Sequence, residues 1–297
     1  MGKKYRFKVW GGLGDAAILT TVLKDLKRRE PDARIIVFGK KLFEPLFVNN
    51  PTIDKYQSLN FFNTVADIFK MIFKMDKSIF LDGDPQSSLF DRHSHTVDVL
   101  AKMLNGPFDD KRLEIYTTPA EDAKANAILD QYEKTVLIQI TSDSSSNQNW
   151  AIERWEELIE RMPDHTFIQV GLGREEIVKG AVNLLGKTSI RESLALIKNV
   201  DSYIGVDSFM NHASNAFFTR GVVLFGPSTP EHWGYPNNIN LYNKLRCSPC
   251  MDVLGANPCP YNAECMDLIT VEHVQNALET QLGIGKKVNV EQQVLVE

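Results

Sequence analysis

The sequence contains little that would direct the protein to a membrane or to nucleic acid. No run approaches the roughly 20 apolar residues that cross a bilayer, and the apolar run after the first lysines is too short for a signal peptide. The formal net charge is −5, so a general attraction to nucleic acid or to anionic membranes is not expected. We therefore expect a cytoplasmic protein without a membrane span and without a nucleic-acid partner.

Cysteine is scarce and confined to one short window. The chain has four cysteines, at Cys247, Cys250, Cys259 and Cys265. A C-x-x-C pair followed by two further cysteines supplies four thiolates, which is enough to close a tetrahedral metal site and leaves no open position for catalysis. We interpret the window as a structural zinc or iron site. Reduced packing cysteines and disulfides are the alternatives.

The remaining composition is that of an ordinary globular protein. The 297 residues are enough for two compact domains, and 43% of them are hydrophobic and 24% charged. Strand and helix patterns alternate along the chain, which predicts an α/β protein with mostly parallel sheets. We place one Rossmann-like domain at residues 1–134 and a second at 135–297.

The predicted elements come from hydrophobic periodicity and turn residues. Strands are predicted at residues 5–10, 34–38, 78–82, 112–116, 135–140, 165–170, 203–206 and 222–225. Helices are predicted after Asp15 and at 61–73, 96–104, 153–161, 174–184, 190–198, 209–217 and 271–282. The polar chain from Lys286 is expected to be frayed.

A glycine turn joins the first strand to the first helix. The turn reads Trp10-Gly11-Gly12-Leu13-Gly14-Asp15. Such a turn lets a ligand approach the backbone and points helix N–H groups at it. It also places Asp15 in the first turn of the helix, where a carboxylate is a candidate general base. A turn without any ligand role remains the alternative.

Dinucleotide binding is a second alternative for this turn. Gly12-x-Gly14-x-x-Ala17 fits the loose G-x-G-x-x-G/A pattern. A nicotinamide site also needs an acidic residue at the end of the second strand, where it binds the ribose. Lys40 and Lys41 occupy that position, which disfavours an oxidoreductase.

Loops in the second half contain groups that bind anions. Asp207-Ser208 lies between a strand and a helix, where a hydroxyl and helix N–H groups can hold a phosphate. The loop at 141–146 is rich in hydroxyls that can hold a pyrophosphate, whereas the loop at 226–233 combines rigid turn residues with an aromatic residue, as expected of the lining of a base or sugar pocket. An ordinary helix cap, a serine-rich surface loop and a stiff connection are the respective alternatives.

Histidines form two further candidates. His93 and His95 follow a strand that ends near Asp82, and together they form a polar cluster suited to a hydroxylated acceptor. A solvated loop is the alternative interpretation. His212 lies on the helix after Ser208, and it either contacts phosphate or packs.

In order and spacing, these motifs resemble heptosyltransferase-type glycosyltransferases of family 9, which have the GT-B fold. The resemblance extends over roughly residues 5–280. It is carried by Gly12–Asp15 with 18–21 and 31–33, by Gly186–Leu194, by Gly205–Ser208 with His212, Ala213, 222–230 and Trp233, and by the cysteine loop with residues 265–272. The cysteine loop is similar to that of the subgroup that heptosylates autotransporter proteins, where it binds iron.

The resemblance implies an inverting transfer of a sugar, with ADP-heptose as the usual donor, between two Rossmann-like domains that face a cleft. It assigns Asp15 as catalytic base. The donor-binding residues it indicates are Gly12, Gly14, Thr141, Ser142, Gln148, Ser189, Glu192, Asp207, Ser208 and His212. The acceptor is expected near Asp82, His93 and His95, and it is a glycan, a lipid-linked core or a protein hydroxyl. Self-association is left open.

The sequence departs from the family pattern at two donor-site positions. Gln148 stands where a phosphate-binding lysine is common, and Phe209 stands where glycine is common. Lys187, Arg174 or Mg²⁺ would have to replace the missing charge. A catalytically silent nucleotide-sugar-binding or assembly partner is therefore the alternative to an enzyme.

Overall fold

The structure is a computed structural model that describes residues 2–9, 11–59, 94–102, 110–251 and 257–284, and the backbone of 79–82. It divides into two compact units, Met1–Tyr116 and Thr117–Glu297. The predicted helix at 61–73, His93 and the tail from Lys286 lie outside the described residues.

The first unit contains a parallel sheet. In chain order its described elements are β1 (Lys4–Lys8), α1 (Leu13–Arg29), β2 (Arg34–Gly39), α2 (Glu44–Phe47), β3 (Lys55–Ser58), β4 (Ile79–Asp82) and α3 (Thr96–Lys102). The strands are ordered β3-β2-β1-β4, and every pairing is parallel.

The second unit contains a larger parallel sheet. Its described elements are α4 (Pro119–Leu129), β5 (Thr135–Gln139), α5 (Ile152–Arg161), β6 (Thr166–Gln169), β7 (Val182–Asn183), α6 (Ile190–Asn199), β8 (Ser202–Val206), α7 (Phe209–Phe217), β9 (Gly221–Phe225), α8 (Pro230–Trp233), β10 (Asn238–Tyr242), α9 (Glu264–Asp267) and α10 (Val271–Gln281). The strands are ordered β10-β9-β8-β5-β6-β7, again with parallel pairing throughout. The prediction of parallel α/β sheets is confirmed.

Apolar residues in consecutive positions explain why the central strands of the second sheet are buried. Val136–Ile138 in β5 and Val222–Phe225 in β9 are fully inaccessible. A strand that is apolar on both faces is stable only when helices cover both sides of its sheet. Trp155 of α5 and Val274 of α10 cover one of these faces, in a core that includes the alternate strand residues Val136 and Ile138 together with Cys265.

The predicted helix at 174–184 is wrong. The segment forms turns and ends in β7. The buried Gln169 side chain fixes this path, because its Nε2 donates to the Glu176 carbonyl at 2.8 Å and its Oε1 accepts from Val178 N–H at 2.9 Å. These bonds occupy backbone groups that a helix would have used.

The predicted strand at 112–116 is also wrong, since it belongs to neither sheet in the part of the chain that is described. Side chains replace the missing strand partners. Thr20 Oγ1 accepts from Glu114 N–H at 2.9 Å, Thr21 Oγ1 donates to the Arg112 carbonyl at 3.3 Å and Asn50 Nδ2 donates to the Glu114 carbonyl at 3.0 Å.

Helix α4 was missed by the sequence analysis, and it belongs to the second unit. Thr118 and Glu121 form a capping box at its start. The Glu121 carboxylate also binds α6, because Arg191 Nε donates to Oε1 at 2.8 Å and Arg191 Nη2 donates to Oε2 at 2.5 Å. The division between the units therefore lies upstream of residue 135, the start that the sequence analysis gave to the second domain.

A helix has to be long and apolar to cross a bilayer, and this applies to each helix of the described segments. None of them is long and apolar enough to cross one.

Replacing Glu121 by Gln should weaken the second unit. The Arg191 guanidinium and the hydrogen bonds from Thr118 lower the pKa of Glu121 to about 2, from an ordinary value of 4.5. Its contribution to stability is therefore present above pH 4.5 and is lost as the pH falls toward 2. We expect Glu121→Gln to lower the free energy of unfolding at pH 7 by about 1–2 kcal/mol.

Urea denaturation at pH 7 and at acid pH measures this loss. Glu157→Gln is the matched control, because Glu157 pairs with Arg161 on the exposed face of α5 and should contribute less than about 0.5 kcal/mol. An equal effect of the two substitutions would contradict a special role for the Glu121–Arg191 pair.

Candidate functional site

Each sheet has a point at which its strand order reverses. In the second sheet β6 and β7 lie on one side of β5, and β8, β9 and β10 lie on the other. Chain connections leave such a point toward opposite sides, which opens a crevice at the carboxyl ends of β5 and β8. Ligands of doubly wound proteins bind in that crevice, so a ligand-binding site of the second unit is expected there.

A buried carboxyl occupies this crevice. Asp207 follows β8 and is 8% exposed. Its Oδ2 accepts from Ser228 Oγ at 2.7 Å, and its Oδ1 accepts from Asn211 Nδ2 at 3.2 Å. Burial raises the pKa of Asp207 to about 6, and the two hydrogen bonds only partly offset that effect. No cation among the described residues contributes to this shift.

Gln148 lies beside Asp207, and a donor-binding role for the two residues remains a prediction. Gln148 is 2% exposed, and its Nε2 donates to the backbone carbonyl of Asp207 at 2.8 Å. Its Oε1 is buried and has no hydrogen-bond partner within the described structure. The side chain therefore supports the loop after β8 through a neutral amide.

Ser208 spans the strand-order reversal. It stands at the N-cap position of α7, but its hydroxyl makes no capping hydrogen bond. Instead, Oγ donates to Oε1 of Gln139, the last residue of β5, at 2.5 Å. The ordinary capping interpretation of this serine is therefore wrong. The first-turn N–H groups of α7 are not satisfied by the N-cap side chain, as a phosphate-binding helix start requires.

His212 is packed against two aromatic rings. Its Nδ1 lies 2.8 Å from the Tyr235 hydroxyl, and its ring meets those of Tyr235 and Trp233 edge-on at 5.6 and 6.0 Å. Both His212 and Tyr235 are buried. These contacts support packing of the chain after α8, and a contact between His212 and phosphate remains a prediction.

The loop after β5 contains the predicted hydroxyls. Thr141 and Ser142 are half-buried, and Ser142 Oγ accepts from Ser144 N–H at 3.4 Å. Of the cations considered as replacements for the missing lysine, Arg174 pairs with Asp143. Lys187 has Nζ donating to the Asn183 carbonyl at 2.8 Å. Both cations have partners within the second unit.

Ser189 and Glu192 form a capping box at the start of α6. The Ser189 N–H donates to Glu192 Oε2 at 2.8 Å, and Glu192 N–H donates to Ser189 Oγ at 3.2 Å. These hydrogen bonds lower the pKa of Glu192. The capping role accounts for the pair locally, and contact with a donor nucleoside remains a prediction.

In the first sheet the strand order reverses at β1, because β2 and β3 lie on one side of it and β4 on the other. Asp15 lies at the start of α1, the helix that follows β1. It is 9% exposed, and its Oδ2 accepts from Gly12 N–H at 2.7 Å. Gly11 has φ +74°, and a Cβ there would lie 2.2 Å from Asp15 Oδ2. The backbone therefore requires glycine at 11, which the sequence analysis placed in the turn but not among the donor-binding residues. The carboxylate is held in one orientation.

The predicted acceptor residues are only partly described. His95 Nδ1 accepts from Val97 N–H at 3.2 Å, so it caps α3. Asp82 ends β4, for which only the backbone is described, and His93 lies outside the described residues. An acceptor role for the three residues remains a prediction.

The four cysteine thiols lie near one another and are not paired as disulfides. Burial, followed by the neighbouring thiols, raises the pKa of Cys265 to about 12 and also raises the pKa of Cys250. The chemistry of the donor set fits zinc or iron. In the described ranges no three Cys, His, Asp or Glu side chains are arranged to hold a metal ion, so zinc or iron at the cysteines remains a prediction, and Mg²⁺ gains no support from these residues either.

Three polar residues around Asp207 were not among the predicted site residues, although Ser228 lies in the loop at 226–233 that the sequence analysis considered. Asn211 could have been found, because it lies one helical turn after Asp207 and so shares a face with it. Ser228 and Gln139 reach the site from other strands, and only the folded sheet brings them to Asp207 and Ser208.

Comparison with solved structures shows the same fold. A glycosyltransferase of family 9 from Veillonella parvula is 17% identical with a TM-score of 0.74, covering 94% of this chain and 97% of its own. ADP-heptose LPS heptosyltransferase II of E. coli is 13% identical with a TM-score of 0.71, covering 94% and 98%. These structures have the GT-B fold, so the predicted fold class is confirmed.

A third similar structure is the iron-containing dodecameric glycosyltransferase TibC from enterotoxigenic E. coli H10407. It is 16% identical with a TM-score of 0.67, covering 95% of this chain and 77% of its own. TibC has also been solved with ADP-D-β-D-heptose. No curated protein matches the chain.

The family model described as "Glycosyltransferase family 9 (heptosyltransferase)" matches residues 93–259. This stretch includes β5, β8 and the buried Asp207 cluster between them. Because the match extends over more than half of the sequence, the chain belongs to glycosyltransferase family 9.

Proposed function

We propose that this glycosyltransferase moves a heptose from ADP-heptose to an acceptor hydroxyl with inversion at the anomeric carbon. The acceptor is a hydroxyl of a glycan, a lipid-linked core or a protein. The observation that carries the proposal is the polar cluster around Asp207 at the strand-order reversal of the second sheet. Membership of the family and the ADP-heptose complex of TibC support the choice of donor.

The second unit is proposed to bind the donor diphosphate. Ser208 directs its hydroxyl to Gln139, which leaves the start of α7 for a ligand. Helix N–H groups and the hydroxyls of Thr141 and Ser142 would stabilise the negative charge that develops on the leaving diphosphate. The neutral Gln148 means that this stabilisation relies on dipoles more than on a lysine charge.

Asp15 of the first unit is proposed as the base. It takes the proton from the acceptor hydroxyl, and that oxygen attacks the anomeric carbon while the bond to the diphosphate breaks. The Gly12 N–H donates to Oδ2 of Asp15, and this hydrogen bond fixes the orientation of the other carboxylate oxygen. A held carboxylate of this kind supports general-base catalysis.

Replacing Asp15 by Asn should abolish transfer while leaving ADP-heptose binding nearly unchanged. The amide oxygen still accepts from Gly12 N–H, so the helix start survives, but the amide cannot take a proton. We expect a loss of at least about 100-fold in kcat. Release of ADP in the presence of acceptor measures turnover, and calorimetry measures donor binding.

Two comparisons make this test specific. Asp15→Ala removes the cap as well and should also lower stability by about 1 kcal/mol. UDP- and GDP-sugars serve as donor controls. Near-normal transfer by Asp15→Asn would disprove the assignment of the base, and donor binding without turnover by the unmodified protein would favour the silent-partner alternative.

Replacing Asp207 by Asn should stabilise the protein at neutral pH. The pKa of Asp207 in the folded state is about 6, above its ordinary value of 3.8. The unfolded chain therefore loses its proton first, and the free energy of unfolding falls as the pH rises from about 4 to about 6. Asparagine keeps the bond from Asn211 and can donate to Ser228 without this penalty.

At pH 7.5 we expect Asp207→Asn to unfold at a higher denaturant concentration than the unmodified protein, by up to about 3 kcal/mol. The difference should vanish near pH 4. Asp143→Asn, at an exposed position of the same unit, should show no such pH-dependent gain. If Asp207→Asn is less stable at both pH values, the carboxyl is not destabilised by its burial.

The cysteine loop is proposed to hold a structural zinc or iron ion. Four thiolates within residues 247–265 and the iron content of TibC support the proposal. Metal analysis of anaerobically prepared protein should find one ion per chain, and Cys247→Ser with Cys250→Ser should lose it. Asp15→Asn should keep its metal. The absence of stoichiometric zinc and iron would contradict the proposal.

A further inference from the structure

The cysteine segment, residues 247–265, contacts two loops that both lead to Asp207. Its described parts are 247–251 and 257–265. One contacted loop is the short turn Ser146–Gln148, and the other is Gly226–Ser228 at the end of β9. In each loop, the residue held by the cysteine segment is the direct neighbour of a residue bonded to Asp207.

Asn147 makes the first connection. Its Nδ2 donates to the Asn257 carbonyl at 2.7 Å, and its Oδ1 accepts from Cys259 N–H at 3.1 Å. The next residue, Gln148, donates to the Asp207 carbonyl. Ser145 Oγ accepts from Asn147 N–H at 3.2 Å, which fixes the turn between the two bonded side chains.

Pro227 makes the second connection. Its carbonyl accepts from Cys250 N–H at 2.8 Å and from Met251 N–H at 2.9 Å. The next residue, Ser228, donates to the Asp207 carboxylate. The same loop packs closely on the end of the cysteine segment, because a Cβ at Gly226 would lie 3.2 Å from Cys265 Sγ.

The two connections hold different parts of one residue, since the first ends on the Asp207 backbone and the second on its side chain. Asn147 is 8% exposed and Gln148 is 2% exposed. The hydrogen bonds that join Asn147 to Asn257 and Cys259 are part-buried, and the one from Gln148 to Asp207 is buried. A shift of the cysteine segment therefore has to be followed by the turn, or it leaves the buried Asn147 side chain without these partners, which costs free energy.

We propose that Asn147 is a positioning residue that couples the cysteine segment to the Asp207 site. An ordered segment holds Gln148 against Asp207, and a ligand bound beside Asp207 orders the segment in return, because coupling between two sites is reciprocal. The identity of that ligand as an adenine nucleotide rests on the proposed function. The coupling itself rests on the hydrogen bonds alone.

The test uses the purified full chain with ADP as the probe. Calorimetry gives the affinity for ADP. Among samples of equal metal content, the rate of reaction with a chromogenic disulfide reports how well the four cysteine sulfurs are protected. In the unmodified protein ADP should slow the thiol reaction. In Asn147→Ala the affinity for ADP should fall about 10-fold, and the effect of ADP on the thiol rate should be lost.

Two further variants separate coupling from general damage. Asn147→Asp keeps the bond from Cys259 N–H and should be intermediate. Asn149→Ala, at an exposed position of the same loop, should bind ADP and protect its thiols like the unmodified protein. Wild-type ADP affinity in a folded Asn147→Ala variant, or equal losses in Asn149→Ala, would overturn the proposal.

If ADP does not bind the unmodified protein, the proposed donor is contradicted. The coupling is then tested by a measurement that needs no ligand. Asp207→Ala should raise the thiol reaction rate about fivefold when Asn147 is present, and by much less in the Asn147→Ala background. Equal effects of Asp207→Ala in the two backgrounds would show that the sites are independent.

Discussion

The buried carboxyl of Asp207 is the constraint to which the rest of the second site is adapted. A carboxyl taken out of water needs hydrogen-bond donors or a cation, and here two neutral side chains supply the bonds. One donor comes from α7 and the other from the loop after β9, so the carboxyl ties together elements that follow neighbouring strands. The raised pKa of Asp207 shows that this arrangement does not compensate its burial fully. Uncompensated burial of this kind is common where function, and not stability, maintains a residue.

The parallel sheet determines why these groups meet. All strands of the second sheet point the same way, so their carboxyl ends and the loops that follow lie on one edge. The reversal of strand order at β5 and β8 leaves that edge open, and Ser208 and Gln139 join the two strand ends across it. The cysteine segment contacts two of these loops through hydrogen bonds and contributes Cys265 to the hydrophobic core. The Asp207 cluster and the cysteine segment are thus built on one framework.

Much of this framework was predictable. Continuous apolar runs such as 222–225 identify central parallel strands, because only strands covered on both faces have that pattern. Asp207 and Ser208 were selected as candidates because they follow a strand directly, where the chain has to turn, and Asp15 because it stands in the first turn of the helix after a glycine turn. The helix at 174–184 was predicted wrongly because the bonds from Gln169 oppose its local periodicity. The strand at 112–116 failed for a similar reason, since the side chains of α1 bind its backbone.

Local sequence patterns are sufficient to predict the α/β class, the order of most strands and helices, and the residues that follow the strand ends, because those depend on periodicity and turn chemistry within a few residues. Which of these residues contact one another follows only from the assembled fold. Gln148 and Asp207 are 59 positions apart, and Asn147 is 112 positions from Cys259. Contacts over such separations exist only after the sheet has assembled, since long-range pairing depends on the packing of the whole core and not on any local preference.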